Sequence, residues 1–142
     1  MPARSSASRR TVLRGAAAAP VAGLGLAACS APGGTGPAAA TPTAPVDLGA
    51  DSEVPKGGAQ LYQDHNVVVS RDRNGTLKAY STICTHAGCP INKLRGTTLV
   101  CPCHGSEFDA LTGKVVQAPA TEPLGELSVK AANGRIIAGP AA

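Results

Sequence analysis

Four of the five cysteines and two of the three histidines fall between Cys84 and Ser106, in "CTHAGCPINKLRGTTLVCPCHGS". They form two mixed pairs, Cys84-x-His86 and Cys101-x-x-His104, and a further cysteine follows closely in each segment, Cys89 and Cys103. Thiolates and imidazoles are the soft and borderline ligands that transition metals select. Six candidates are more than one tetrahedral ion needs. Zinc accepts two thiolates and two imidazoles, but zinc fingers usually pair cysteine with cysteine and histidine with histidine, and here zinc leaves two cysteines without a task. A four-cysteine ferredoxin leaves both histidines unexplained. A thioredoxin-type redox pair needs two residues between its cysteines, whereas Cys101 and Cys103 have only Pro102 between them. One arrangement employs every group: a 2Fe-2S cluster taking two cysteines on one iron and two histidines on the other, with the remaining cysteines free to join the segments.

The stretch closely resembles the Rieske signature, C-T-H-x-G-C followed by C-P-C-H-G-S, and the resemblance extends over roughly residues 46–142. It implies that Cys84 and Cys101 ligate the inner iron and that His86 and His104 ligate the outer iron, with their free ring edges towards solvent. It also implies a Cys89–Cys103 disulfide, the mark of the high-potential branch found in cytochrome bc complexes. Ser106 matches the serine whose hydroxyl donates to a bridging sulfide. Phe108 stands where high-potential members carry a tyrosine that donates to a ligand sulfur, so one donor is missing. Ala87 occupies a position that is often leucine in quinol-oxidising members, which opens the shield over the cluster. "QAPA", Gln117 to Ala120, resembles the loop that covers the cluster from a third side, with Pro119 at its centre.

What positions these residues must be built with few large side chains: the chain of 142 residues holds one Phe, two Tyr and no Trp. So little apolar area calls for a staple, a metal or a disulfide. No stretch keeps a helical period. Short β-rich runs bounded by turn residues appear instead: "NVVVSR" and "LKAYST" flank Asn74–Gly75, and "LSVKA" and "RIIAG" flank Asn133–Gly134. Asn-Gly favours a two-residue hairpin turn because both residues tolerate positive φ. "TTLVCP" and "GKVVQA" read as further strands. The expected fold is all-β, a Rieske-type antiparallel sandwich or barrel over residues 46–142 with two cluster-binding loops within residues 82–108. His65 reads as a surface histidine, Tyr62 and Tyr80 as core or strand-face residues, and Glu107 and Asp109 as solvated.

The N-terminus reads as an address. The net charge of +4 comes from Arg4, Arg9, Arg10 and Arg14; the nine basic residues beyond them equal the nine acidic ones. A nucleic-acid surface is therefore not supported. "SRRTVLR" precedes a fourteen-residue apolar run, 15–28, interrupted by Pro20 and three glycines. That is short of the roughly 20 residues of a membrane span and suits the h-region of a twin-arginine export signal. "LAAC" then resembles a lipobox, making Cys29 the lipidated residue and 1–29 the signal segment. Residues 30–45, with four prolines and no charge, read as a disordered Pro/Ala/Gly tether, about 20 Å in typical end-to-end distance.

The function expected on these grounds is one-electron transfer at the outer face of a bacterial cytoplasmic membrane, lipid-anchored, with cytochromes or membrane oxidoreductases as redox partners. A second reading is a Rieske subunit of a larger oxidoreductase, of the quinol–cytochrome c reductase type or the small subunit of a molybdenum enzyme. Ala87 and Phe108 weigh against a standard quinol role. No acid–base constellation appears outside the cluster, so the chain alone is an electron carrier, with oxidoreductase activity only within a complex.

Overall fold

The structure is a computed structural model and describes residues 40–141. The signal segment, Cys29 and residues 30–39 of the expected tether lie outside the described residues. Among the described residues no helix is long and apolar enough to cross a membrane.

Among the described residues ten strands form two antiparallel sheets. The larger contains β1 (Val46–Ala50), β2 (Gly58–Tyr62), β3 (Val67–Arg71), β4 (Leu77–Ser81), β9 (Glu126–Ala132) and β10 (Arg135–Gly139) in the order β1-β10-β9-β4-β3-β2. The smaller contains β5 (Lys93–Arg95), β6 (Thr98–Val100), β7 (Glu107–Asp109) and β8 (Val115–Gln117) in sequence order. Two single 3-10 turns, Asp51–Glu53 and Gln63–His65, are the helical elements among the described residues. This is the all-β, antiparallel architecture expected.

The unbroken valine run of β3 has a simple cause. Successive side chains of a strand face opposite ways, and β3 is covered on both sides. Val67 and Val69 join Leu48, Ala79, Leu127, Ile136 and Ala138 in one apolar cluster. Val68, between them, joins Tyr80 and the inner face of the small sheet in another, with Ile91, Leu99, Phe108, Cys84 and Cys101. Fully burying each valine contributes about 1.5–3 kcal/mol, so β3 is the wall shared by the body of the domain and the ligand-bearing part. The two parts also meet at Tyr80, whose ring lies against the backbone of Gly113.

Of the two expected hairpin turns, one forms as predicted. Asn133 and Gly134 both have positive φ, 52° and 73°, and join β9 to β10 as a two-residue turn. The other does not. β3 and β4 pair through Arg71 and Leu77, so the loop is five residues long. Asp72 is the reason: its carboxylate accepts the Thr76 N–H at 2.8 Å, and its own N–H donates to Thr76 O at 3.0 Å. The chain therefore turns earlier than Asn74–Gly75.

The last residues before β1 cross the ends of several strands. Pro45 lies against Gly139 of β10. Thr41 Oγ1 is 2.7 Å from Ser81 Oγ, and Asn66 Nδ2 donates to Ala40 O at 3.0 Å.

Candidate metal centre

The two ligand-bearing loops share one backbone frame. In the first, the Cys84 N–H donates to Cys89 O and the Gly88 N–H donates back to Cys84 O, both at 2.8 Å. In the second, the Cys101 N–H donates to Ser106 O at 2.9 Å and the Gly105 N–H to Cys101 O at 3.1 Å. In both cases the cysteine pairs with the residue five ahead and the glycine four ahead closes the turn. Gly88 and Gly105 sit at φ of 74° and 78°, which a side chain with a Cβ adopts only under strain. The glycines of H-x-G-C and C-H-G-S are thus explained by backbone geometry.

This frame sorts the six candidate groups. Cys84 and Cys101, each 2% exposed, point into the core shared with Phe108 and Leu99. His86 and His104 are exposed, with ring centroids 4.8 Å apart and planes nearly perpendicular. Cys89 and Cys103 form a disulfide that joins one loop to the other. The donors meet in twos, a buried thiol pair and an exposed imidazole pair. Among the described residues no three His, Cys, Asp or Glu side chains gather around one point as a single ion would require.

Burial pushes the Cys101 thiol up from its ordinary pKa, and the neighbouring Cys84 thiol pushes the same way, while the N–H groups of Cys103 and His104 draw it down. Those N–H groups are donors placed to stabilise sulfur once it carries charge. Loading a metal here must release a proton, after which the cation replaces it as partner of the buried sulfur.

A third segment closes over both loops. The Thr85 hydroxyl in the first loop donates to Glu122 O at 2.7 Å. In the second loop Gly105 O accepts from Gln117 Nε2 at 2.8 Å, and Ser106 Oγ accepts the Ala120 N–H at 3.0 Å. Ser106 is fully buried; because its oxygen accepts from Ala120, its hydrogen is left for another acceptor. Pro119, after a cis peptide bond, lies exposed between these anchor points, so residues 117–120 are tied to the second loop. Ala87 is exposed beside His86, and Phe108 is fully buried in the cluster of side chains that holds both free thiols. Thr85 is the threonine of the quoted C-T-H, but nothing in that spacing marks its hydroxyl as the tie to the third segment.

The residues outside the site divide. Tyr80 is buried and Tyr62 lies half-buried in β2 against the core, both as expected, whereas His65 is half-buried in a 3-10 turn outside the ligand loops. Asp109 is not merely solvated: its carboxylate accepts the Leu111 N–H at 2.7 Å and its carbonyl the Gly113 N–H at 2.7 Å, shaping the turn into β8.

Residues 44–131 match the family described as "Rieske [2Fe-2S] domain", and the chain belongs to that family. It is 37% identical over 93 residues to the cytochrome b6-f complex iron-sulfur subunit of Chlorobaculum tepidum, covering 63% of this chain and 50% of that one. It is 43% identical over 74 residues to the cytochrome bc1 complex Rieske iron-sulfur subunit of Corynebacterium diphtheriae, covering 46% and 18%. Among solved structures, the cyanobacterial plasma membrane Rieske protein of Synechocystis PCC 6803 superposes with a TM-score of 0.51 at 31% identity, covering 66% of this chain and 97% of that one. The chain spans at most half the length of these two curated relatives. The cofactor of the family is a 2Fe-2S cluster, whose chemistry is transfer of one electron at a time, and the buried thiol pair, exposed imidazole pair and spare Ser106 hydrogen fit such a group.

Proposed function

We propose that this protein carries single electrons between redox partners at the outer face of a bacterial membrane, held there by a lipid on Cys29. In this reading Cys84 and Cys101 hold the inner iron and His86 and His104 the outer one. The observation that carries it is the layering of the donors: thiols buried at 2% exposure, imidazoles at the surface. A partner approaching that surface meets the ligands of one iron directly. Neutral imidazoles supply less negative charge than thiolates, which raises the reduction potential. The Ser106 hydrogen adds to this by drawing charge from the cluster.

The disulfide supports an exported location, since such bonds persist in oxidising compartments. The paired arginines and the "LAAC" sequence support export and lipidation. A second reading, a Rieske subunit within a larger respiratory oxidoreductase, is favoured by the printed names of the relatives, which are subunits of cytochrome b6-f and bc1 complexes. Quinol as the direct donor fits less well, because Ala87 leaves the histidines unshielded.

Redox titration of the purified full-length protein, followed by electron paramagnetic resonance, tests the core of the proposal. Two irons and two labile sulfides per chain are expected, with a rhombic signal on one-electron reduction. A colourless protein with stoichiometric zinc, expressed under iron-replete conditions, would refute it. Mass spectrometry of the mature N-terminus and membrane fractionation test Cys29; an unmodified N-terminus in a soluble fraction removes the anchor.

A further inference from the structure

β8 carries an irregularity beside the second ligand loop. Phe108 of β7 pairs with Val115, yet Glu107, one residue earlier, pairs with Gln117. Val116 is therefore an extra residue, a β-bulge, and its side chain is turned out to 57% exposure, the one large apolar side chain so exposed among the described residues. Bulges bend a strand and re-aim the side chains that follow, and they are frequent next to functional sites.

The side chain re-aimed here is Gln117. Its amide nitrogen donates to Gly105 O at 2.8 Å and lies 4.0 Å from where a Cβ on Gly105 would stand. Gly105 directly follows His104, and its N–H is already committed to Cys101 O. Both polar groups of the Gly105 backbone are thus held, one by the loop itself and one by Gln117. We propose that Gln117 is a positioning residue for His104: its donated hydrogen bond fixes the Gly105–Ser106 peptide, the loop fixes the His104–Gly105 peptide through the Gly105 N–H, and the two together set the direction of the imidazole. The inference rests on His104 being a ligand of the cluster. It also gives the covering segment a mechanical role. Thr85 ties that segment to the first loop and Gln117 ties it to the second, so residues 117–122 form a non-covalent brace in parallel with the Cys89–Cys103 disulfide.

The test uses the full-length holoprotein with Gln117→Met, which keeps length but has no donor, and Gln117→Lys, which restores one. Position 117 is exposed, so both variants are expected to fold. Three readouts are compared with the parent: the resonance spectrum of the reduced cluster, the rate of colour loss on mild heating, and hydrogen exchange of the Gly105 amide in the metal-free protein. The methionine variant is expected to shift and broaden the spectrum. It is expected to bleach roughly two- to tenfold faster, the span one net hydrogen bond commands, and to exchange the Gly105 amide faster by a similar factor. The lysine variant is expected to restore all three towards the parent. The proposal is overturned if the methionine variant matches the parent, if lysine and methionine behave alike, or if bleaching changes while the spectrum does not, which would mark Gln117 as a loop stabiliser only. A parent protein without a 2Fe-2S spectrum would instead overturn the assignment of the site, a separate and visible outcome.

Discussion

Replacing Gly113 with alanine probes the contact that joins the ligand-bearing part to the body of the domain. A Cβ built at Gly113 would stand 2.6 Å from Cε1 and 2.8 Å from Cδ1 of Tyr80. Neither partner can yield easily. The Gly113 N–H is bonded to Asp109 O at 2.7 Å and its carbonyl to the Leu124 N–H at 2.9 Å, while Tyr80 is 4% exposed and packed among Val68, Cys84 and Cys101. Two costs add. Gly113 has φ of 72°, where a Cβ costs about 1–2 kcal/mol, and overpacking a filled core costs about 1–3 kcal/mol. The sum, about 2–5 kcal/mol, is a large share of the roughly 5–15 kcal/mol that holds a domain folded. For a domain of this size it lowers the melting temperature by about 10–25 °C. The control is Gly75→Ala. Gly75 also has positive φ, 96°, but a Cβ there meets nothing within 4 Å, so only the backbone cost of about 1–2 kcal/mol applies. Thermal melts of both variants, and of Gly113→Ala combined with Tyr80→Leu to relieve the clash, separate the terms. If Gly113→Ala melts no lower than Gly75→Ala, the Tyr80 ring does not press on residue 113 and the reasoning fails.

Phe108→Tyr is expected to raise the midpoint potential by some tens of millivolts, since 59 mV is a tenfold change for one electron; Phe108 shares its buried cluster with Cys84 and Cys101, so on the proposed assignment a hydroxyl there is expected to donate to a ligand sulfur, and an unchanged or lower potential would show it points elsewhere. Ser106→Ala is expected to lower the potential in the same titration, and to cost about 1–3 kcal/mol by orphaning the buried Ala120 N–H, read from the shift in denaturation midpoint. Removing the disulfide by the paired substitution Cys89→Ser and Cys103→Ser is expected to cost about 2–4 kcal/mol and to hasten cluster loss; equal bleaching rates would mean that the brace at residues 117–122 suffices alone.

The site was legible in the sequence to the extent that its chemistry demands particular atoms at fixed spacing. Cysteines and histidines in two short loops, with glycines where the backbone must turn, leave a record that no packing requirement produces. The strands were legible where one face or both are buried, as at Val67–Val69. The length of the β3–β4 loop was misjudged because Asn-Gly is a strong local signal, yet Asp72, two residues earlier, captures the Thr76 N–H first. The partner of Thr85, the aim of Gln117 and the fit of Gly113 were out of reach for a different reason. Their partners lie 37, 12 and 33 residues away in sequence, and nothing local distinguishes a threonine or glutamine that has found a distant carbonyl from one that faces water.

The shared backbone of the two loops has a consequence for how the centre tolerates change. The residue five beyond each ligand cysteine occupies the same place in both, yet in one loop it is Cys89, which makes the covalent link, and in the other Ser106, which offers a hydroxyl. Only the carbonyl of that residue is used by the turn, so its side chain is a socket that can be refitted. On the proposed assignment of the cluster, a substitution there is expected to alter durability in the first loop and redox tuning in the second, and to leave the turn itself standing. At Gly88 and Gly105 no such freedom exists: the same backbone sets the turn and carries the neighbouring histidine, so on the proposed assignment durability and tuning are expected to fail together.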